Sequence, residues 1–194
     1  INDAPVLVLP SNIGNATEDL FWSIDIDATD PDLLNPAGDT LMFQLSGAPS
    51  TMTINSTGFI NWTPTNNDAN RYWYITVLVV DGSGASDSET FSLWVNNMND
   101  APMIINPPAA TEYINEGVQF NRLFTATDDD SIHGDTLTWS LRTIASWLEA
   151  LRIDPSSGRL RFTPDDPEVG IFWVNISCTD SCMAGDFINF TLIV

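Results

Sequence analysis

Asn2-Asp3-Ala4-Pro5 opens the chain, and Asn99-Asp100-Ala101-Pro102 stands in its middle. Other landmarks recur in the same order. Ala28-Thr29-Asp30-Pro31-Asp32 returns as Ala126-Thr127-Asp128-Asp129-Asp130, and Asp81 and Phe91 return as Asp180 and Phe190. Thr57-Gly58-Phe59-Ile60-Asn61-Trp62-Thr63-Pro64 returns as Ser157-Gly158-Arg159-Leu160-Arg161-Phe162-Thr163-Pro164. The offsets run from 97 to 100 residues. Such a period has the size of a domain and is too long for one unit of a solenoid. The sequence therefore reads as two copies of one module, 1–98 and 99–194, joined by a short acidic tether.

The texture of both copies is all-β: short apolar alternations broken by Gly, Pro, Asn and Asp. In the first copy strands are expected near 5–9, 20–28, 41–46, 51–55, 58–62, 72–80 and 88–96. In the second they are expected near 103–106, 119–127, 137–142, 150–154, 159–162, 171–178 and 187–194, with at most one helical turn over 145–151. About seven short strands per hundred residues predict a β-sandwich. Period-two alternation assigns Leu41, Phe43, Leu45, Trp73, Ile75, Val77, Val79, Phe91, Leu93 and Val95 to the first core. Leu137, Trp139, Leu141, Phe172, Val174, Ile176, Cys178, Phe190, Leu192 and Val194 fall to the second.

The charge balance is extreme. There are 26 acidic and 6 basic residues, all six of them Arg, and the net charge is −20. Such a surface repels nucleic acid and anionic lipid, and it suits cations. No run of apolar residues is long enough to span a membrane, and no signal peptide is present. The chain starts inside a linker motif and stops at a strand end, so it reads as an excised piece of a longer protein.

Calcium takes six to eight oxygens, several from carboxylates. Asp-x-Asp at a strand end places two carboxylates on one side, the form of Asp30/Asp32 and Asp128/Asp130. Asp81 and Asp180 each end a long apolar strand, and Glu18 and Glu116 each precede the second strand. In a sandwich these acids gather at the poles: Asp128, Asp130 and Asp180 at the top of the second copy, Glu18 at the bottom of the first. Asn97-Met98-Asn99-Asp100 runs between, so ions held by both copies and the tether are expected. The alternative is that the acids cap turns.

Glu18, Asp30-Pro31-Asp32, Asp81 and Asn97-Met98-Asn99-Asp100-Ala101-Pro102 resemble the calcium framework of cadherin repeats. Thr57-Gly58 through Trp62-Thr63-Pro64, followed by Tyr72 to Asp81-Gly82, is similar to the dystroglycan-type cadherin-like, Ig-like repeats of surface proteins. The resemblance implies two tandem Greek-key sandwiches with calcium as cofactor. It implies an interdomain site of Glu18, Asn97, Asn99 through its carbonyl, Asp100, Asp128, Asp130 and Asp180, with Asp68 near the place of a further acidic motif. It also implies an amino-terminal half-site of Asp3, Asp30, Asp32 and Asp81, and a carboxy-terminal one at Glu116. The tether departs from the cadherin pattern at Asn97, where Asp is usual, and at Ala101, where Asn is usual. The Asp-Arg-Glu motif is missing, so one or two ions per junction are expected.

Cys178 and Cys182 are the only cysteines, in the spacing C-T-D-S-C. A local disulfide across a hairpin turn is expected if the chain is exported, and a free pair otherwise. Sequons stand at Asn15, Asn55, Asn61, Asn175 and Asn189, and the last three point outward in the strand reading. The first copy's outer face carries Met42, Tyr72, Tyr74, Leu78 and Trp94, a candidate contact surface. The corresponding face of the second copy reads as Asn175, Ser177, Thr179, Asn189 and Thr191.

One His, no activated Ser or Cys and no phosphate loop argue against an enzyme. The expected function is a calcium-stiffened structural or adhesive segment of an extracellular cell-surface or secreted protein. Its expected partners are flanking repeats of the same protein and a homophilic, other protein or glycan partner. A glycan- or protein-binding module, or a filament or surface-layer subunit using the first copy's outer face, is the alternative.

Overall fold

The computed structural model describes residues 2–34, 39–143 and 151–194. The helical turn expected at 145–151, and the start of the strand expected at 150, lie almost entirely outside these. The chain divides into two compact units, Ile1–Met98 and Asn99–Val194.

The first unit contains β1 (Val6–Val8), β2 (Ala16–Thr17), β3 (Trp22–Asp25), β4 (Asp27–Thr29), β5 (Met42–Ser46), β6 (Thr53–Ile54), β7 (Phe59–Trp62), β8 (Arg71–Val80) and β9 (Ser86–Asn96). The second contains β10 (Met103–Ile104), β11 (Thr111–Tyr113), β12 (Phe120–Leu123), β13 (Ala126–Thr127), β14 (Thr138–Thr143), β15 (Arg152–Ile153), β16 (Arg159–Phe162), β17 (Ile171–Thr179) and β18 (Gly185–Ile193). Each unit is a sandwich. A four-stranded sheet, β2-β9-β8-β5 or β11-β18-β17-β14, faces a three-stranded one, β3-β7-β6 or β12-β16-β15. A two-stranded ladder, β1-β4 or β10-β13, completes it.

The single strands expected near 20–28 and 119–127 are each broken in two. In the first unit the break falls at Ile26, whose side chain is fully buried and whose N–H donates to Gly58 O across 3.1 Å. Beyond it the chain leaves β7 and pairs with β1. The short strands β2 and β11 have no counterpart among the expected strands; they run parallel to the last strand of their unit. Two or three residues carry too little alternation to be read as a strand.

The cores sit where alternation puts them. Ile75, Val77, Val79, Leu93 and Val95 are fully buried in the first unit, as are Val174, Ile176, Cys178 and Leu192 in the second. Leu41, Phe43 and Leu45, on the edge strand side, are only partly buried against that core. Trp62 fills the first core edge-on to Trp73, their ring centres 6.0 Å apart, with its Nε1 donating to Thr51 Oγ1.

Cys178 and Cys182 are both free thiols, which corrects the expected disulfide. The parity of β17 turns Cys178 into the core. Cys182 lies not on the opposite arm but in the exposed turn between β17 and β18. Burial pushes the Cys178 thiol up to about 11, with Asp128, Asp186 and Asp180 adding to the rise.

The contrast expected between the outer faces also needs correcting. Met42, Tyr72 and Tyr74 are exposed in the first unit, with Leu78 and Trp94 half-buried beside them. But Ile171, Trp173 and Phe187 are exposed in the second. They share parity with Asn175 and Asn189, so the apolar patch there sits beside the polar ladder instead of being absent.

Candidate metal centre

Each unit gathers three carboxylates at one pole. Asp30, Asp39 and Asp81 each present an oxygen within 4.8 Å of the others, and Asp128, Asp135 and Asp180 do the same in the second unit. Two oxygens on one calcium stand at most about 5 Å apart, twice the usual calcium–oxygen distance, so either trio fits one ion.

The local chain explains how acids come so close. Asp30 Oδ1 accepts the Asp32 N–H at 2.7 Å, and Asp128 Oδ1 accepts that of Asp130 at 2.9 Å. Each bond locks the carboxylate at the mouth of a short 3-10 turn, over Pro31–Leu34 or Asp129–His133. Asp81 Oδ1 accepts Ser83 and Ala85 N–H in the turn after β8, and Asp180 Oδ1 accepts Ala184 N–H after β17. Asp39 Oδ1 takes the Gly82 N–H at 2.8 Å, and Asp135 Oδ1 takes the Ser181 N–H at 3.1 Å. One oxygen of each acid is therefore spent on backbone.

The other oxygens decide the chemistry. Asp30 Oδ2, Asp128 Oδ2 and Asp135 Oδ2 are buried and have no hydrogen-bond partner. Asp30 and Asp128 are more than nine-tenths buried. An unpaired buried carboxylate oxygen is costly unless a cation satisfies it. Burial pushes the Asp128 carboxyl up; the Asp130 N–H opposes this, while the charges of Asp135, Asp130 and Asp180 add to it. Asp81 moves the other way, chiefly because the Asn2 amide donates to it.

The repeated Asn-Asp docks onto the same pole in both units. Asn2 Nδ2 donates to Asp81 Oδ2 and Asn99 Nδ2 to Asp180 Oδ2, both at 2.8 Å. The Asp3 N–H donates to Asp32 Oδ2 at 2.8 Å, and the Asp100 N–H to Asp130 Oδ2 at 2.5 Å. Asp32 and Asp130 thus hold the incoming chain, while Asp39 and Asp135 complete the trios. Neither of those two was expected from the sequence. The signal was present: Gly38-Asp39-Thr40-Leu41 returns as Gly134-Asp135-Thr136-Leu137.

The remaining expected ligands lie elsewhere within their units. Glu18 is fully buried at the far end of β9, roughly 30 Å along the strand from Asp81 at 3.3 Å per residue. Its Oε1 accepts the Met98 N–H at 2.6 Å. Asn97 Oδ1 accepts from Asn70 Nδ2. Asp68 caps its own turn through Thr65 N–H and Oγ1. Glu116 is exposed, unlike Glu18. Of the sequons, Asn15, Asn55 and Asn189 are exposed and Asn61 and Asn175 half-buried. Asn175 donates to Asn189 across β17 and β18, so a glycan at Asn175 competes with that bond.

Residues 4–96 match the model of the family described as "Putative Ig domain". No curated protein sequence matches the chain. Among solved structures, domains 1–2 of human protocadherin-24 superpose with a TM-score of 0.55 at 17% identity, covering 100% of this chain and 98% of that one. The protocadherin gammaB7 EC3-6 cis-dimer structure gives 0.58 at 14% identity, covering 100% and 51%. Protocadherin gamma B2 extracellular cadherin domains 3-6 give 0.53 at 19%, covering 98% and 52%, so the chain spans about half the length of that structure. By fold, the chain is a tandem pair of cadherin-like, Ig-like β-sandwich repeats.

Proposed function

We propose that the chain is a calcium-stiffened structural or adhesive segment of a longer extracellular protein, with its repeats flanked by others of the same kind. The observation that carries this is the pair of buried, unpartnered oxygens, Asp30 Oδ2 and Asp128 Oδ2, each within an acid trio. In the first unit Asp30, Asp39 and Asp81 would hold the ion, and in the second Asp128, Asp135 and Asp180. Bound calcium offsets the mutual repulsion of the acids that receive the tether, so Asn2-Asp3 and Asn99-Asp100 stay docked. Glu18, Asn97, Asp68 and Glu116 are carried in this reading as further acidic or amide ligands at the opposite poles.

The test is calorimetric calcium titration, with melting and solution scattering in calcium and in chelator. Saturable heat, a higher melting temperature and a more extended particle in calcium are expected. No heat and no change in melting would falsify the reading.

A second reading rests on the outer face of β5, β8 and β9. Met42, Gln44, Tyr72, Tyr74, Thr76, Leu78, Ser88, Thr90, Ser92 and Trp94 share it without one charge, in a chain of net charge −20. Tyr72 meets Trp94 edge-on, their ring centres 4.8 Å apart. This face would contact a neutral glycan or a protein. Tyr74→Ser with Trp94→Ser should then abolish self-association or partner capture.

A further inference from the structure

The two units diverge on one sheet. Arg159 and Arg161 on β16 and Arg152 on β15 occupy the places that Phe59, Asn61 and Thr53 hold in the first unit; Arg152 pairs with Arg161 as Thr53 pairs with Asn61. On the neighbouring strand, Leu123 opposite Arg159 stands where Asp25 stands opposite Phe59. Three guanidiniums appear and one acid is lost on the same face. Those three are half of the 6 basic residues in the chain.

Among the described residues no acid forms an ion pair with any of the three; the one ion pair is Arg122 with Glu112. Arg159 Nη1 donates to Asn121 Oδ1 at 3.0 Å, and Arg152 Nη1 to the Leu151 carbonyl at 3.3 Å, both neutral acceptors. Arg152 and Arg161 are exposed and Arg159 is half-buried. Together with Ile153, Asp154 and Ser157 they line a cleft of about 330 Å³. Asp154, the one acid among the described residues that line the cleft, turns its Oδ1 back to Ser156 N, Ser156 Oγ and Ser157 N.

We infer that this cleft binds an acidic sugar residue of an anionic glycan, its carboxylate or sulfate held by Arg152, Arg159 and Arg161. Guanidinium forks suit such planar or tetrahedral oxyanions. Residues two apart on a strand stand about 7 Å apart and cross-strand neighbours about 5 Å, so all three long side chains can reach one group in the cleft they line. The cleft lies at the small end of ligand sites and holds one or two sugars; a stable protein partner needs roughly 800 Å² per side. Ile153, whose side chain packs toward the core, and Ser157, whose hydroxyl reaches Asp154, complete the cleft wall. At about 0.15 M salt the Debye length is about 8 Å, which screens the ligand from distant acids but not from these arginines.

The experiment uses the whole chain in calcium-free buffer, so that its outcome is separate from that of the acidic poles. Oligogalacturonate, sulfated dextran, neutral dextran and a short poly-aspartate peptide are titrated and followed by NMR. One or both anionic sugars should shift the β15 and β16 signals, the uronate and sulfate arms distinguishing the two sources. Neutral dextran should not bind. Arg152→Gln, Arg159→Gln and Arg161→Gln together should weaken binding at least about tenfold with melting unchanged, and the triple Lys variant should retain part of it. No binding, unchanged binding by the Gln variant, or equal binding of the aspartate peptide overturns the inference.

Discussion

The side-chain amide of Asn99 donates to Asp180 Oδ2 across 2.8 Å, and Asn2 makes the same bond to Asp81 in the first unit. A neutral donor on a carboxylate that terminates a core strand ties the start of each module to its own sandwich. Asn99→Ala should therefore loosen the second unit by about 1 kcal/mol, the usual net worth of such a bond. The indole signals of Trp139 and Trp173 report that unit during urea unfolding. Their midpoint should fall while those of Trp22 and Trp62 hold, and Asn2→Ala should reverse the pattern.

Asp135 sits half-buried beside Asp128 and Asp180 with one oxygen unpartnered. Asp135→Asn keeps the shape but removes a charge from the trio. Calcium affinity of the second unit should drop at least about tenfold, since ligand charge count sets the strength of such sites. The stabilisation by calcium should shrink accordingly; at a hundredfold excess over Kd it is about 2.7 kcal/mol. Asp39→Asn should have the matching effect on the first unit alone. An unchanged titration in either variant removes that acid from the site.

Gly58 and Gly158 occupy the same turn with φ of 89° and 67°. A Cβ on Gly58 would lie 2.1 Å from the Ile26 carbonyl oxygen, and one on Gly158 2.6 Å from that of Phe124 and 2.8 Å from the Trp139 ring. The glycine carbonyls accept the N–H groups of Ile26 and Phe124, so the close approach is the bond that holds one strand to the next. Gly158→Ala combines backbone strain with a clash against main chain and should cost about 3 kcal/mol. Denaturant unfolding with the same indole reporters checks it.

These glycines show what was legible in the sequence. The repeat Thr57-Gly58 and Ser157-Gly158 marked the turn, and alternation along Trp73–Val79 and Phe172–Cys178 placed the core, because long strands repeat their signal many times. Short elements do not, so Ala16–Thr17 and Thr111–Tyr113 escaped. The acids divide in the same way. Asp30, Asp81, Asp128 and Asp180 were legible from strand-end spacing. Asp39 and Asp135 show no such spacing and are marked only by the repeat around them, since each reaches across a loop to Gly82 or Ser181, a contact with no local period.

Asp154 illustrates an acid whose work is structural. The Ser157 N–H, the Ser156 and Ser157 hydroxyls and the Ser156 N–H hold its carboxyl at about 2, below the ordinary 3.8. Because the folded value is depressed, its stabilisation is present above the unfolded value and is lost as pH falls toward the folded one. Asp154→Ala should lower the urea midpoint at pH 7, and the gap from wild type should close between pH 3.8 and about 2. A gap that persists at the acid end would mean the loss is one of packing.

Cys178 and Cys182 are four residues apart and should behave as different chemical species. Cys178 is fully buried between the sheets, opposite Trp139 on β14, and its thiol is held up to about 11. Cys182 lies open in the turn, its thiol raised by desolvation and by the acids Asp135, Asp180, Asp130 and Asp128. A thiol reagent acts on thiolate, so the native protein should label at Cys182 alone, slowly near neutrality and faster as pH rises. Cys178 should label only in denaturant. Cys178→Ser places a hydroxyl without a planned partner in that core and should cost about 1–3 kcal/mol, whereas Cys182→Ser should be nearly neutral. Mass spectrometry of the labelled peptides separates the two sites. Prompt modification of Cys178 in the native state, or resistance of both until a reductant is added, would contradict the arrangement.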